Sequence, residues 1–172
     1  METALPKLTL VLGGARSGKS RHAEQLVTST PPPWAYVATA RAYDDEMRAR
    51  IAQHRQRRAS GWQTIEAPVD LGGAIRQLLS EQPVLIDCLT LWLTNLMLGE
   101  HDRQAALRDL EAALDARSGP VVMVSNEVGL GIVPENALAR SFRDAQGRLN
   151  QHMAGRADAV LFMVAGLPLK VK

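Results

Sequence analysis

Two hydrophobic periods alternate along this chain. Short apolar runs at 8–12, 34–38, 83–87, 121–125 and 159–164 have the length and aliphatic content of buried strands. Trp62-Gln63-Thr64-Ile65-Glu66 alternates like a strand with one covered face. Elsewhere apolar residues return every three or four positions, as a helix with one buried side requires. Such stripes are Met47 and Ile51; Leu71, Ala74, Ile75, Leu78 and Leu79; Leu89, Trp92, Leu93, Leu96 and Met97; Leu107, Leu110 and Leu114; and Leu138, Phe142, Ala145, Leu149 and Met153. A first helix is expected over 21–27, and residues 167–171 suggest one more strand at the end.

The residues between these segments support the boundaries. Consecutive prolines at Pro31, Pro32 and Pro33 can continue neither a helix nor a strand ladder, so 29–33 is a loop. Asp44, Asp45 and Glu46 put negative charge at the start of a helix whose other end carries Arg55, Arg57 and Arg58, which suits the helix dipole. Asp70 is a candidate N-cap for the helix that follows. Strands alternating with helices imply an α/β protein of three layers with a mainly parallel sheet, and 172 residues imply one domain over 1–172. In such sheets ligands bind beyond the carboxyl ends of the strands. That rule gathers residues 13–20, 38–40, Glu66, Asp87 and 125–131 at one edge.

Composition narrows the class modestly. The chain is 46% hydrophobic and 22% charged, ordinary values for a globular protein with a proper core. No apolar run is long enough to span a bilayer and the first residues lack a signal-peptide core, so the expected compartment is the cytoplasm. Cys88 is the sole cysteine, which excludes an internal disulfide, and no Cys/His spacing suits zinc. The net charge of +2 is too small to argue for nucleic acid. The arginines instead gather between Arg41 and Arg58, as suits a small polyphosphate.

The sharpest motif is Gly13-Gly14-Ala15-Arg16-Ser17-Gly18-Lys19-Ser20, a G-x-x-x-x-G-K-S phosphate loop between a strand and a helix. Its glycines let successive backbone N–H groups turn inward to hold phosphate oxygens at a helix N-terminus. Lys19 would neutralise β/γ-phosphate charge and the Ser20 hydroxyl would ligate Mg²⁺. Asp87, ending an apolar strand, either holds Mg²⁺ directly or through water, or caps the helix after it. His54 shares a helix face with Met47 and Ile51 and has Arg50, Arg55, Arg57 and Arg58 nearby. Those charges should disfavour its protonated form and leave a ring nitrogen free to attack phosphorus. A half-buried structural histidine explains the pattern as well. His22 and His152 lie on helices without a cluster of partners, and His101 falls in a polar stretch between helices.

Taken together, these segments resemble one family: the bifunctional adenosylcobinamide kinase and adenosylcobinamide-phosphate guanylyltransferase of cobalamin biosynthesis. The resemblance runs nearly end to end. It rests on the phosphate loop continued through Arg21-His22-Ala23-Glu24, on Asp44-Asp45-Glu46-Met47 leading to Arg50, Ile51 and His54, and on Asp87-Cys88-Leu89-Thr90 with Trp92, Thr94 and Asn95. It continues in Ser125-Asn126-Glu127-Val128-Gly129 with Gly131-Ile132-Val133-Pro134, in Arg140 with Phe142-Arg143-Asp144, in Asn150-Gln151, and in Gly166-Leu167-Pro168-Leu169-Lys170.

The resemblance implies a RecA-like P-loop fold, a trimer, and two reactions. First, ATP or GTP phosphorylates the aminopropanol hydroxyl of adenosylcobinamide. Then a histidine, matched by His54, attacks the α-phosphate of GTP, releases pyrophosphate and carries GMP to the cobinamide phosphate. By position, Ala38, Thr39, Ala40, Arg55, Gln56, Arg57, Arg58, Glu66 and Asp87 match the family's nucleotide-contacting segments, and Glu66 is a candidate reader of guanine N–H groups. The alternatives are a P-loop metabolite kinase without nucleotidyl transfer, and a RecA-like or GTPase-like binding module. A GTPase would need an N-K-x-D motif that is absent, and Asp70-Leu71-Gly72-Gly73 opens a helix where a switch element would be required.

Overall fold

The computed structural model describes residues 4–58 and 60–172, apart from the side chain of Arg57. In chain order the elements are β1 (Leu8–Gly13), α1 (Lys19–Thr28), β2 (Trp34–Ala38), α2 (Asp45–Arg57), β3 (Trp62–Glu66), α3 (Leu71–Arg76) and β4 (Val84–Asp87). There follow α4 (Leu89–Leu98), α5 (Arg103–Asp115), β5 (Val121–Asn126), α6 (Ala137–Arg156), β6 (Ala159–Val164) and β7 (Leu167–Lys170). The strands form one sheet in the order β3-β2-β4-β5-β1-β6-β7. Every pairing is parallel except the terminal β6–β7 hairpin.

The period-two pattern of the strands explains the layering. Leu10, Val37, Ile86, Met123 and Val160 point to one face, where they pack with Leu71, Ile75, Trp92, Leu96, Leu110 and Met153 from α3, α4, α5 and α6. Val11, Tyr36, Leu85, Val122 and Val124 point to the other, against Ala23 and Val27 of α1. The sheet is therefore sandwiched between helices on both faces, as its continuous apolar strands require. Helix α2 belongs to neither layer. Its described residues are exposed or only half-buried, and it lies at the carboxyl edge of the strands.

Caps fix the helix starts. Asp44 accepts from Met47 N at 2.7 Å, Asp70 from Gly73 N at 2.9 Å and Asp102 from Ala105 N at 3.0 Å. Two stripe expectations fail at helix ends. Helix α3 stops at Arg76, so Leu79 falls beyond it and is 64% exposed. Leu138 sits in the first turn of α6, before that helix reaches the core, and is also exposed. Among the described residues, no helix is long and apolar enough to cross a membrane.

Candidate nucleotide and phosphoryl-transfer site

The phosphate loop joins β1 to α1 and is held in shape by its neighbours. Gly18 adopts φ 92°, which favours glycine, and a Cβ on Gly13 would lie 2.5 Å from Ser17 Oγ. Glu127 N donates to Gly13 O at 3.0 Å, and Gly166 N, from the β6–β7 turn, donates to Ser17 O at 3.0 Å. Ala15 and Arg16 form the exposed tip, while Lys19 is buried and folds back to donate to Gly14 O at 2.5 Å. Burial pulls the Lys19 ammonium below the ordinary lysine pKa, against opposing contributions from Cys88 and Asp87.

Asp87 ends β4, opposite Ala38 in the β2 register. Strand β5 separates β4 from β1, yet Asp87 and Ser20 line the same cavity, of about 330 Å³. The capping alternative for Asp87 does not hold: Cys88 is the N-cap of α4, its sulfur accepting from Leu91 N at 3.5 Å. Asp87 Oδ2 instead accepts a 2.5 Å hydrogen bond from the Tyr36 hydroxyl. Burial, and then the Asp87 charge, push the Cys88 thiol up to about 11, so it is not a nucleophile at neutral pH. Thr39 is fully buried. Its hydroxyl accepts from Cys88 N at 2.8 Å and donates to Cys88 O at 2.6 Å, so it shapes the cleft without offering its side chain to a ligand.

Helix α2 suspends His54 over this edge. His54, Arg50 and Ser20 line both the 330 Å³ cavity and an adjoining cleft of about 550 Å³ formed by Arg16, Ser17, Gly18 and Lys19. Ala40, Ile51 and Arg55 connect the first cavity to a third, of about 710 Å³, which Gln56 and Glu66 also line. The three cavities adjoin through these shared lining residues and form a trough from the phosphate loop, past His54 and Asp87, to the end of β3. Of the arginines expected around His54, Arg50, Arg55 and Arg58 line its cavity and each also has an acceptor of its own. Arg50 pairs with Glu46 at 2.9 Å, Arg55 with Glu66, and Arg58 donates to Thr64 Oγ1 at 3.0 Å and to the His54 carbonyl at 3.2 Å.

Ser125 stands at the carboxyl end of β5 as expected, level with Leu12, but its side chain turns into the interior. It is fully buried in a network in which Ser125 Oγ donates to Asn150 Oδ1 at 2.7 Å and Gln146 Nε2 donates to Ser125 Oγ at 2.9 Å. Asn150 Nδ2 then donates to Asn126 O at 2.9 Å, tying α6 to the loop beyond β5. His152, expected without partners, lies 2.5 Å from Glu111 Oε1. Sequence reasoning missed Tyr36 as a site-building residue. A tyrosine inside a buried strand was the available signal, because its hydroxyl needs an acceptor.

Among the described residues there is no group of three His, Cys, Asp or Glu side chains placed to hold a metal. One hydroxyl and one carboxylate facing a common cavity fit Mg²⁺ in the form in which substrate phosphates and water complete the ligand set. A strand inserted between the phosphate-loop strand and the carboxylate strand, within a parallel sheet covered on both faces, defines a P-loop nucleotide-binding protein of the RecA-like type. The fold is shared with the flagellar accessory protein FlaH from Methanocaldococcus jannaschii, at a TM-score of 0.56 and 11% identity over 98% of this chain and 80% of that one.

Within that class the chain has a particular place. Residues 9–171 match the family described as cobinamide kinase / cobinamide phosphate guanyltransferase, and the chain belongs to that family. It is 47% identical over 167 residues to the bifunctional adenosylcobalamin biosynthesis protein CobP of Pseudomonas aeruginosa, covering 95% of this chain and 96% of the relative. It is 44% identical over 181 aligned positions to the bifunctional adenosylcobalamin biosynthesis protein CobU of Salmonella typhimurium, covering 96% and 99%.

Proposed function

We propose that this chain, as one domain, phosphorylates adenosylcobinamide with ATP or GTP and then transfers GMP from GTP to the product, giving adenosylcobinamide-GDP and pyrophosphate. Family membership supports both activities. The observation that carries the assignment of residues is that His54 lines both the phosphate-loop cleft and the cavity of Asp87 and Ser20.

In the first reaction the backbone N–H groups of residues 13–20 hold the triphosphate. Lys19, already buried at the loop, exchanges its bond to Gly14 O for phosphate oxygens and neutralises charge on the transferring group. Ser20 and Asp87 would hold Mg²⁺, which supplies further charge neutralisation along the phosphates. In the second reaction a His54 ring nitrogen attacks the α-phosphorus of GTP and the bond to the pyrophosphate oxygen breaks. The cobinamide phosphate then attacks the same phosphorus and releases His54. Glu66, at the far end of the trough, would leave Arg55 to accept two guanine N–H bonds, while Ala38, Ala40, Gln56 and Arg58 form the walls. Arg57 belongs to the same matched segment, though its side chain lies outside the described residues.

The test is covalent labelling. With GTP labelled at its α-phosphate, the protein is expected to acquire acid-labile, base-stable label, and His54→Ala to abolish it. Label retained by the variant would move the nucleophile elsewhere, and a protein that transfers only γ-phosphate would be a plain kinase. We also assign a cytoplasmic, homotrimeric enzyme on the family resemblance. Light scattering should give three times the 18.7 kDa chain mass, and a monomer's mass would refute the trimer.

A further inference from the structure

Tyr36 carries its hydroxyl into the interior on a strand whose other residues are aliphatic, indole or alanine, and it is 5% exposed. Such a hydroxyl needs an acceptor, and Asp87 Oδ2 supplies one at 2.5 Å. The ring is held on two further sides. The Arg58 guanidinium lies 3.7 Å from the ring centroid, and Trp62 meets it edge-on at 5.9 Å with an interplanar angle of 78°. Arg58 is itself fixed by its bonds to Thr64 Oγ1 and the His54 carbonyl, so it stacks on the phenol instead of pairing with the carboxylate.

We propose that Tyr36 is a positioning residue for Asp87: its O–H binds Oδ2, stops the carboxylate rotating and leaves Oδ1 as the oxygen open to the cation beside Ser20. A neutral phenol suits this task. A lysine or arginine in its place would orient the carboxylate but cancel the charge that attracts a cation, whereas Tyr36 orients it and leaves the charge intact. A carboxylate oxygen can only accept, so the bond runs from the Tyr36 hydroxyl to Asp87. Register fixes the arrangement. Tyr36 lies opposite Leu85 and Ala38 opposite Asp87, so the phenol extends along the sheet toward the end of β4.

This inference rests on the reading of Asp87 as the cation-holding carboxylate, and the experiment separates the two. Tyr36→Phe keeps the ring, the Arg58 stack and the Trp62 contact, and removes only the O–H. Mn²⁺ affinity is measured by electron paramagnetic resonance with an imido-bridged GTP analogue bound, alongside the Mg²⁺ dependence of turnover. Tyr36→Phe should bind Mn²⁺ about tenfold more weakly, the size expected for losing an outer partner of a metal ligand. It should need more Mg²⁺ for half-maximal kcat, with KM for GTP unchanged at saturating Mg²⁺. Asp87→Asn should lose Mn²⁺ binding more severely. If Asp87→Asn loses Mn²⁺ and Tyr36→Phe does not, positioning by Tyr36 is wrong and Asp87 stands. If both bind Mn²⁺ normally, the reading of Asp87 fails, and this inference with it. Should Tyr36→Phe not fold, NMR of the unsubstituted protein decides. A slowly exchanging Tyr36 hydroxyl proton that shifts when Mg²⁺-nucleotide is added to the free protein supports the bond to a ligating carboxylate, and one insensitive to Mg²⁺-nucleotide overturns it.

Discussion

At the scale of single residues, the site places charge where burial penalises it. Glu24, on α1, is the clearest example: burial, then the neighbouring Asp87 charge, raise its carboxyl pKa, and Arg58 and His54 only partly offset this. An unfolded glutamate titrates near pH ~4.3. Between that value and the raised folded one, the native state binds more protons than the unfolded chain, so stability falls as pH rises through the window. Above the window the full penalty is present. Glu24→Gln should therefore melt at a higher temperature than the unsubstituted protein at about pH 8, with the difference closing toward about pH 4. Calorimetry across pH measures this, and a variant that melts lower at alkaline pH would show that Glu24 makes a compensating ionic contact.

At the scale of elements, α2 differs from every other helix. Helices α4 and α5 insert Leu89, Trp92, Leu96, Leu110 and Leu114 into the core. Helix α2 is tied down by side-chain bonds at its ends: Tyr43 Oη to Asn95 Oδ1 at 2.9 Å before it, and the Arg55–Glu66 pair and the Arg58–Thr64 bond near its end. Removing a cap costs about 1 kcal/mol. For α2 that loss should be local. Asp44→Ala should speed amide exchange in α2 about fivefold and slow guanylylation, with little change in Tm. Asp102→Ala, at the cap of the core-packed α5, should instead lower the global Tm by about 2–4 °C. Equal global losses from the two variants would show that α2 unfolds only with the whole molecule.

The same contrast explains what the sequence disclosed. Strand and helix types followed from local periodicity, and the phosphate loop from a motif whose chemistry is contained within eight consecutive positions, 13–20. Asp44 and Asp70 were readable as caps because capping is local. What escaped depended on distant partners. The sequence set arginines near His54, but it could not show that Glu46, Glu66 and Thr64 are acceptors for Arg50, Arg55 and Arg58. Ser125 ended a strand at the ligand edge, and only the approach of α6 shows that Gln146 and Asn150 enclose it. The Tyr36–Asp87 bond joins residues far apart in the chain and adjacent only once β2 and β4 pair.

At the scale of the whole molecule, nucleotide and fold are linked because the trough is assembled from distant parts of the chain. The phosphate loop, the end of β4, the end of β3 and α2 all contribute to it, so an unfolded chain has no equivalent site. A ligand bound only by the native state at a hundred times its Kd adds about 2.7 kcal/mol. For a chain of this size that corresponds to a rise in Tm of roughly 5–10 °C. The residue roles predict how this rise divides. Lys19→Ala should lose most of it if the ammonium exchanges its Gly14 bond for phosphate as proposed. His54→Ala, measured with a GTP analogue that cannot be cleaved at the α-phosphorus, should keep nearly all of it while losing covalent label, because the imidazole enters only when the new bond forms. A His54→Ala protein that loses the thermal shift along with the label would make His54 a binding or structural residue. The transferase nucleophile would then have to be sought elsewhere along the trough.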